Sequence, residues 1–267
     1  MMDMIKIIFF IMFFFSNNIL ANEKNLEIIK DQFDLVFPKQ EEVFGVKIIA
    51  TKNTPDKAIA KTLSILKQWL DNDSDGKPDN QLVVNSLVIN NASMIMGENE
   101  RDVDKKFYKI EKWAKKEKIN MGDFDEATNS LMMLSANEPH IAYLEETLHL
   151  ISDFGYAEAY PEIFGLSADS KIALAMDKAR GGFFEEVPKK YPKEAWYSYD
   201  DDECEYNCMI TEYFYWSLTS ILGAQKNRLK EVQHEWKYNT KEKMLKDTMM
   251  MDLLNNSQYK IPSNLPK

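Results

Sequence analysis

The sequence predicts an α+β fold: a small α/β layer in the N-terminal third, followed by a mostly helical C-terminal half. Two observations carry this reading. Short β-rich runs alternate with helical apolar stripes in the first third, and helical spacing dominates the final hundred residues. Composition agrees, since 45% hydrophobic residues with nine glycines and nine prolines describe a chain that buries a core. No internal repeat and no Gly-, Pro- or Ser-rich linker divides it, so residues 22–267 read as one domain. Within it, 43–155 form an α/β lobe and 156–267 a helical lobe.

The first residues read as a secretory signal peptide over 1–21. Lys6 precedes an apolar run from Ile7 to Phe15, and Ala21 supplies a small residue for cleavage. The run is short of the roughly 20 apolar residues that span a bilayer, although an uncleaved anchor is the competing reading. No later segment has such a run, which places a soluble mature chain in the periplasm or outside the cell, with no membrane span. A net charge of −10 repels phosphate backbones, excludes general nucleic-acid binding and suits cations.

Each element has its own signal. Val46–Ala50 is a β-rich run after Gly45, and Asn53-Thr54-Pro55-Asp56 opens a helix whose face is Ile59, Leu63, Leu66 and Leu70. Leu82, Val83, Leu87 and Val88 mark a second helix, and Ala92–Met96 a strand. Asp102–Lys118 is a charged, solvated helix striped by Phe107, Ile110, Trp113 and Ala114; Leu131–Ser135 is extended. A helix from about His140 to Ser152 carries Ile141, Leu144, Leu148 and Ile151 on one stripe, with Gly155 as terminator. A loop-rich stretch from Gly181 to Tyr206 interrupts the helical remainder, and the fifteen methionines read as core filler.

Between the first two helices, Asp71-Asn72-Asp73-Ser74-Asp75-Gly76-Lys77-Pro78-Asp79 sets acids at positions one, three, five and nine, with glycine at six. Alternate residues converge on one point, the glycine permits a sharp turn, and Lys77 offers its backbone carbonyl, which suits a hard cation. These nine residues resemble the calcium loops of EF-hand, dockerin and thrombospondin-type repeats. Val83 stands where an EF-hand has its bidentate glutamate, so the implied calcium site is weak and its role is to staple the flanking helices. The plainer reading is an acidic turn without an ion. In an exported chain the close pair Cys204 and Cys208 reads as a disulfide pinning Asp200 to Met209.

Glu145 and His149 are four apart on the predicted helix, so both leave one face and can hold one metal, with Glu146 rotated by about 100° toward a bound water. Downstream, Glu212 is the only acid between Met209 and Gln225, so it either caps that helix or is buried with a partner. Together these helices resemble the active-site and glutamate helices of gluzincin-type zinc metallopeptidases. The layout of residues 43–225 is similar to that family, and about a dozen residues carry the motif.

That resemblance implies a zincin-like domain and an exported, metal-dependent hydrolase of peptide-like substrates. It makes Glu145, His149 and Glu212 ligands to zinc or another divalent transition metal, and Glu146 the general base. Glu145 replaces the family's first histidine, which makes the site harder and less selective for zinc and allows an inactive descendant. Tyr197, Tyr199, Tyr213 and Tyr215 are unranked candidates for polarising a substrate carbonyl.

Three other readings compete. One is a non-catalytic periplasmic or secreted calcium-binding structural or binding protein, with Glu145 and Glu146 in water. A second sets Glu231 and His234 beside Glu146 and His149, with Glu111 and Glu212, as a di-iron carboxylate centre, against which the charged surroundings of His234 count. A third makes the methionines an amphipathic partner-binding face. His140 faces the opposite side of its helix from His149 and is expected to be structural or exposed.

Overall fold

The computed structural model describes residues 25–267; the leader expected over 1–21 lies outside the described residues. The chain is α+β, with about 52% helix and one four-stranded mixed sheet. Helix α1 occupies residues 25–36 of the described part. Strands β1 (Lys39–Val43), β2 (Val46–Ala50), β3 (Ser93–Gly97) and β4 (Leu131–Ser135) lie in that order across the sheet. The first pair is antiparallel and the other two are parallel.

Strands β2 and β4 have the predicted bounds, and β3 is shifted by one residue. Strand β1 was not anticipated, because Lys39-Gln40-Glu41-Glu42-Val43 has neither β-branched enrichment nor alternation. Its turn makes it. Phe44 and Gly45 both take left-handed conformations, φ 54° and 83°, the two-residue geometry that folds a twisted hairpin back on itself.

Helices α2 (Asp56–Leu70) and α3 (Gln81–Ile89) connect β2 to β3, and α4 (Glu100–Lys116) and α5 (Met121–Thr128) connect β3 to β4. The sheet alternates strictly: Ile49 and Ile95 pack with α1, α4 and α5, while Ile48, Met94 and Leu134 face α2 and α3. The two parallel crossovers therefore pass on opposite faces while strand order advances in one direction. One of them has the left hand that such connections seldom take.

The helical remainder comprises α6 (His140–Ile151), a π-turn (Ser152–Tyr156), α7 (Ala157–Ala159), α8 (Pro161–Phe164), α9 (Lys171–Arg180), α10 (Tyr206–Ile221), α11 (Leu229–Val232), α12 (Lys241–Met244) and α13 (Thr248–Leu254). Helix α10 is the axis of this part. Every residue from Met209 to Ser220 is buried, as an all-round apolar helix requires. One continuous core runs from the sheet through α6 and α10 to Tyr259, across the boundary between 43–155 and 156–267. Cys204 and Cys208 form the expected disulfide at the start of α10. Among the described residues, no helix is long and apolar enough to cross a membrane.

Gly155 does not end the α6 helix as expected. A Cβ there would meet Val83 Cγ1 at 2.8 Å, so the glycine allows the π-turn to press against α3 while the chain continues helically into α7. Met250 and Met251 are buried, in keeping with methionine as filler.

Candidate metal centre

Helix α6 is fixed before it presents any chemistry. Its apolar stripe packs into the main core, and the Trp69 Nε1–H of α2 donates to Thr147 Oγ1 at 3.1 Å. On the face this leaves, Glu145 and His149 stand one turn apart. Across from them, α10 presents Glu212.

One ligand atom from each of Glu145, His149 and Glu212 lies within 4.8 Å of the others, so the two stretches meet. His149 Nε2 is 3.7 Å from Glu212 Oε1, and Nδ1 is 3.8 Å from Glu146 Oε2. His149 and Glu212 are buried, whereas the Glu146 side chain keeps 30% of its surface. His149 Nε2 and Glu212 Oε2 are buried without a hydrogen-bond partner. Orphaned polar atoms are strongly unfavourable in a protein interior. A donor-poor carboxylate facing a ring nitrogen is the arrangement that a cation satisfies.

In the metal-free protein, protonation balances part of this charge. Burial, joined by the nearby Glu212 charge, pushes the Glu145 carboxyl up to about 8. Burial would lower His149, but Glu212, then Glu146 and Glu145, outweigh it and hold the imidazole up at about 10. Burial also raises Glu212, against the pull of His149. Three acids thus crowd one imidazole, and the cation at the rim is already engaged: Arg228 Nε donates to both Glu231 carboxylate oxygens at 3.2 Å and Nη1 to Gln225 Oε1 at 2.9 Å.

The structure separates the four tyrosines. The Tyr197 hydroxyl donates to the Met209 carbonyl at 2.8 Å and that of Tyr213 to Asp247 Oδ2 at 2.5 Å, so both are structural. Tyr215 meets the His149 ring edge to face, centroids 5.5 Å apart, and the Tyr199 hydroxyl approaches Glu212. Tyr199 and Tyr215 line the centre.

Two positioning residues were not foreseen. Thr211 Oγ1 donates to Asp153 Oδ1 at 2.6 Å, clipping the π-turn behind His149 to the residue before Glu212. Ser152 Oγ also donates to Asp153 Oδ1, at 3.0 Å, and to the His149 carbonyl at 3.1 Å. Asp153 stands four residues after His149, a spacing that places it near the same face. Nothing in the sequence marks Thr211.

The remaining site residues are distributed as follows. The residues of the di-iron reading do not gather: Glu111 on α4 pairs with Lys115, Glu231 with Arg228, and His234 groups with Asp200 and Glu235. That last group is a surface cluster, with His234 Nε2 3.1 Å from Glu235 Oε1. His140 is exposed, as expected. In the acidic loop, Asp71, Asp73 and Asp75 converge, whereas Asp79 Oδ2 accepts from the Asn72 N–H at 2.7 Å. Lys77 is exposed, and Val83 is buried in the core and takes no part.

Comparison with protein-family models, with curated proteins and with solved structures finds no match to this chain.

Proposed function

We propose that the protein is an exported metal-dependent hydrolase of peptide-like substrates, with a zincin-like layout in which α6 and α10 form the walls of the reaction centre. One observation carries the reading: Glu145 and His149 of α6 and Glu212 of α10, the last more than sixty residues further along the chain, converge on one point with buried polar atoms left unpaired. Zinc or another divalent transition ion held by these residues would act as a Lewis acid toward a carbonyl oxygen. Two carboxylates and one imidazole make the site harder than a two-histidine site, hence less selective.

The chain's own groups then have defined tasks. Glu146, beside His149 and open to solvent, accepts the proton of the attacking water. Tyr199 offers a hydroxyl to the substrate carbonyl. Asp153 and Thr211 hold the two helices in register. The disulfide at the start of α10 supports the exported location.

The test is metal content and peptide hydrolysis of protein purified without chelator, beside Glu146→Gln. The proposal expects bound transition metal in both proteins and an activity loss of about 10²–10⁴-fold in the variant. Wild-type protein without transition metal, or a fully active variant, contradicts it.

A further inference from the structure

The Asp71–Asp79 loop faces two ways. On one side, carboxylate oxygens of Asp71, Asp73 and Asp75 lie within 4.8 Å of one another. Asp71 is only 2% exposed; its Oδ2 accepts from the Gly76 N–H at 3.2 Å, but its Oδ1 is buried with no hydrogen-bond partner. A carboxylate oxygen left bare in this way demands a cation or a donor, and the loop's own basic side chain, Lys77, points to solvent.

On the other side, Asn72 holds residues 263 and 264. Its Oδ1 accepts from the backbone N–H groups of Ser263 and Asn264 at 2.9 and 2.8 Å, and its Nδ2 donates to the Asn264 carbonyl at 2.8 Å. The Lys267 N–H donates to Gln68 Oε1 at 3.0 Å, and Asn80 Nδ2 donates to the Tyr259 carbonyl at 2.8 Å. Residues 259–267 thus form a strap tied to both ends of the acidic loop. The residue making most of these ties sits between two of the converging acids.

We propose that the loop binds one hard divalent cation of calcium size through Asp71, Asp73 and Asp75, and that the bound ion fastens the C-terminal strap by fixing Asn72. Unscreened, the acids repel one another and open the loop, and Asn72 moves with it. The binding is of millimolar class, because Val83 supplies no bidentate carboxylate. Calcium is favoured over magnesium, which demands stricter octahedral geometry. The inference is independent of the Glu145 centre.

The experiment titrates calcium chloride, and magnesium chloride as control, into metal-free protein. It follows binding by calorimetry and strap opening by amide hydrogen exchange of residues 259–267. Calcium is expected to bind with a Kd of about 10⁻⁴–10⁻³ M and, at about 10 mM, to slow strap exchange about tenfold or more. Asn72→Ala should keep the calcium affinity and lose the slowing, while Asp71→Asn should lose both. If Asp71→Asn fails to fold, wild-type protein and Asn72→Ala decide the matter. No calcium binding at that concentration overturns the site; binding with unchanged strap exchange overturns the fastening.

Discussion

Loading the Glu145 centre with metal should expel protons, and the number follows from its electrostatics. With the Glu145 carboxyl near 8 and His149 near 10, these groups together hold about two protons at pH 7 in the metal-free protein, about 0.9 on Glu145 and one on the imidazole. Coordination requires two ionised carboxylates and a neutral ring nitrogen, so zinc binding at pH 7 should release about two protons per ion from Glu145 and His149, in addition to whatever Glu212, itself raised by burial, still holds. Near pH 9 the carboxyl is already ionised and the release should fall to about one. Apparent affinity should therefore climb about a hundredfold per pH unit near neutrality and about tenfold near pH 9. Calorimetric titration in buffers of different ionisation enthalpy measures the count directly. Near-zero release at pH 7 would refute the reasoning, because it would mean that the ion binds elsewhere or that Glu145 and Glu212 do not share a desolvated site with His149.

Other consequences concern stability and the support of the site. Glu145→Gln should abolish zinc binding yet stabilise the metal-free protein at pH 9 by about 2–4 kcal/mol in urea unfolding. The sign follows from a folded-state value raised to about 8 from 4.5: the folded protein holds the extra proton, so its stability falls as pH climbs between those values, and glutamine removes that penalty. An unchanged or lowered alkaline stability would count against the desolvation of the half-buried Glu145 carboxyl. Thr211→Val leaves the half-buried Asp153 carboxyl short of a donor and should cost about 1 kcal/mol, together with weaker zinc binding. A variant indistinguishable from wild type in both would remove the pair from the site's support. Reducing Cys204–Cys208 frees a very short loop, so the loss in chemical denaturation should be modest, about 2 kcal/mol, and global unfolding on reduction would contradict that.

The readable parts of this protein were those in which local chemistry and tertiary packing agree. Val46–Ala50 and Leu131–Ser135 are apolar runs in which strand propensity and burial coincide. Strand β1 was not legible, because polar Lys39–Glu42 becomes a strand only through the hairpin turn at Phe44-Gly45. Helix α5 has no clear sequence signal for a related reason: Met121–Thr128 has a weak apolar stripe, with Phe124 its only buried hydrophobic residue. Glycine at 155 looks like a terminator in sequence, and only the closeness of Val83 shows that it serves packing.

At the site, Glu212 was visible because a lone acid in an apolar helix must be explained, and Glu145 with His149 because four residues make one helical turn. Which tyrosines face the centre was not visible. Tyr197 and Tyr199 lie two apart in a loop without periodic direction, and only tertiary contacts send one to the Met209 carbonyl and the other to Glu212. The pairing of Thr211 with Asp153 bridges 58 residues and leaves no local trace.

Anomalous diffraction at the zinc absorption edge, from crystals grown with one equivalent of zinc, tests the central claim most directly. The account predicts a single strong peak about 2.0–2.2 Å from His149 Nε2 and from one carboxylate oxygen each of Glu145 and Glu212. A peak at Asp200, His234 and Glu235 instead, or no peak between α6 and α10, would contradict it.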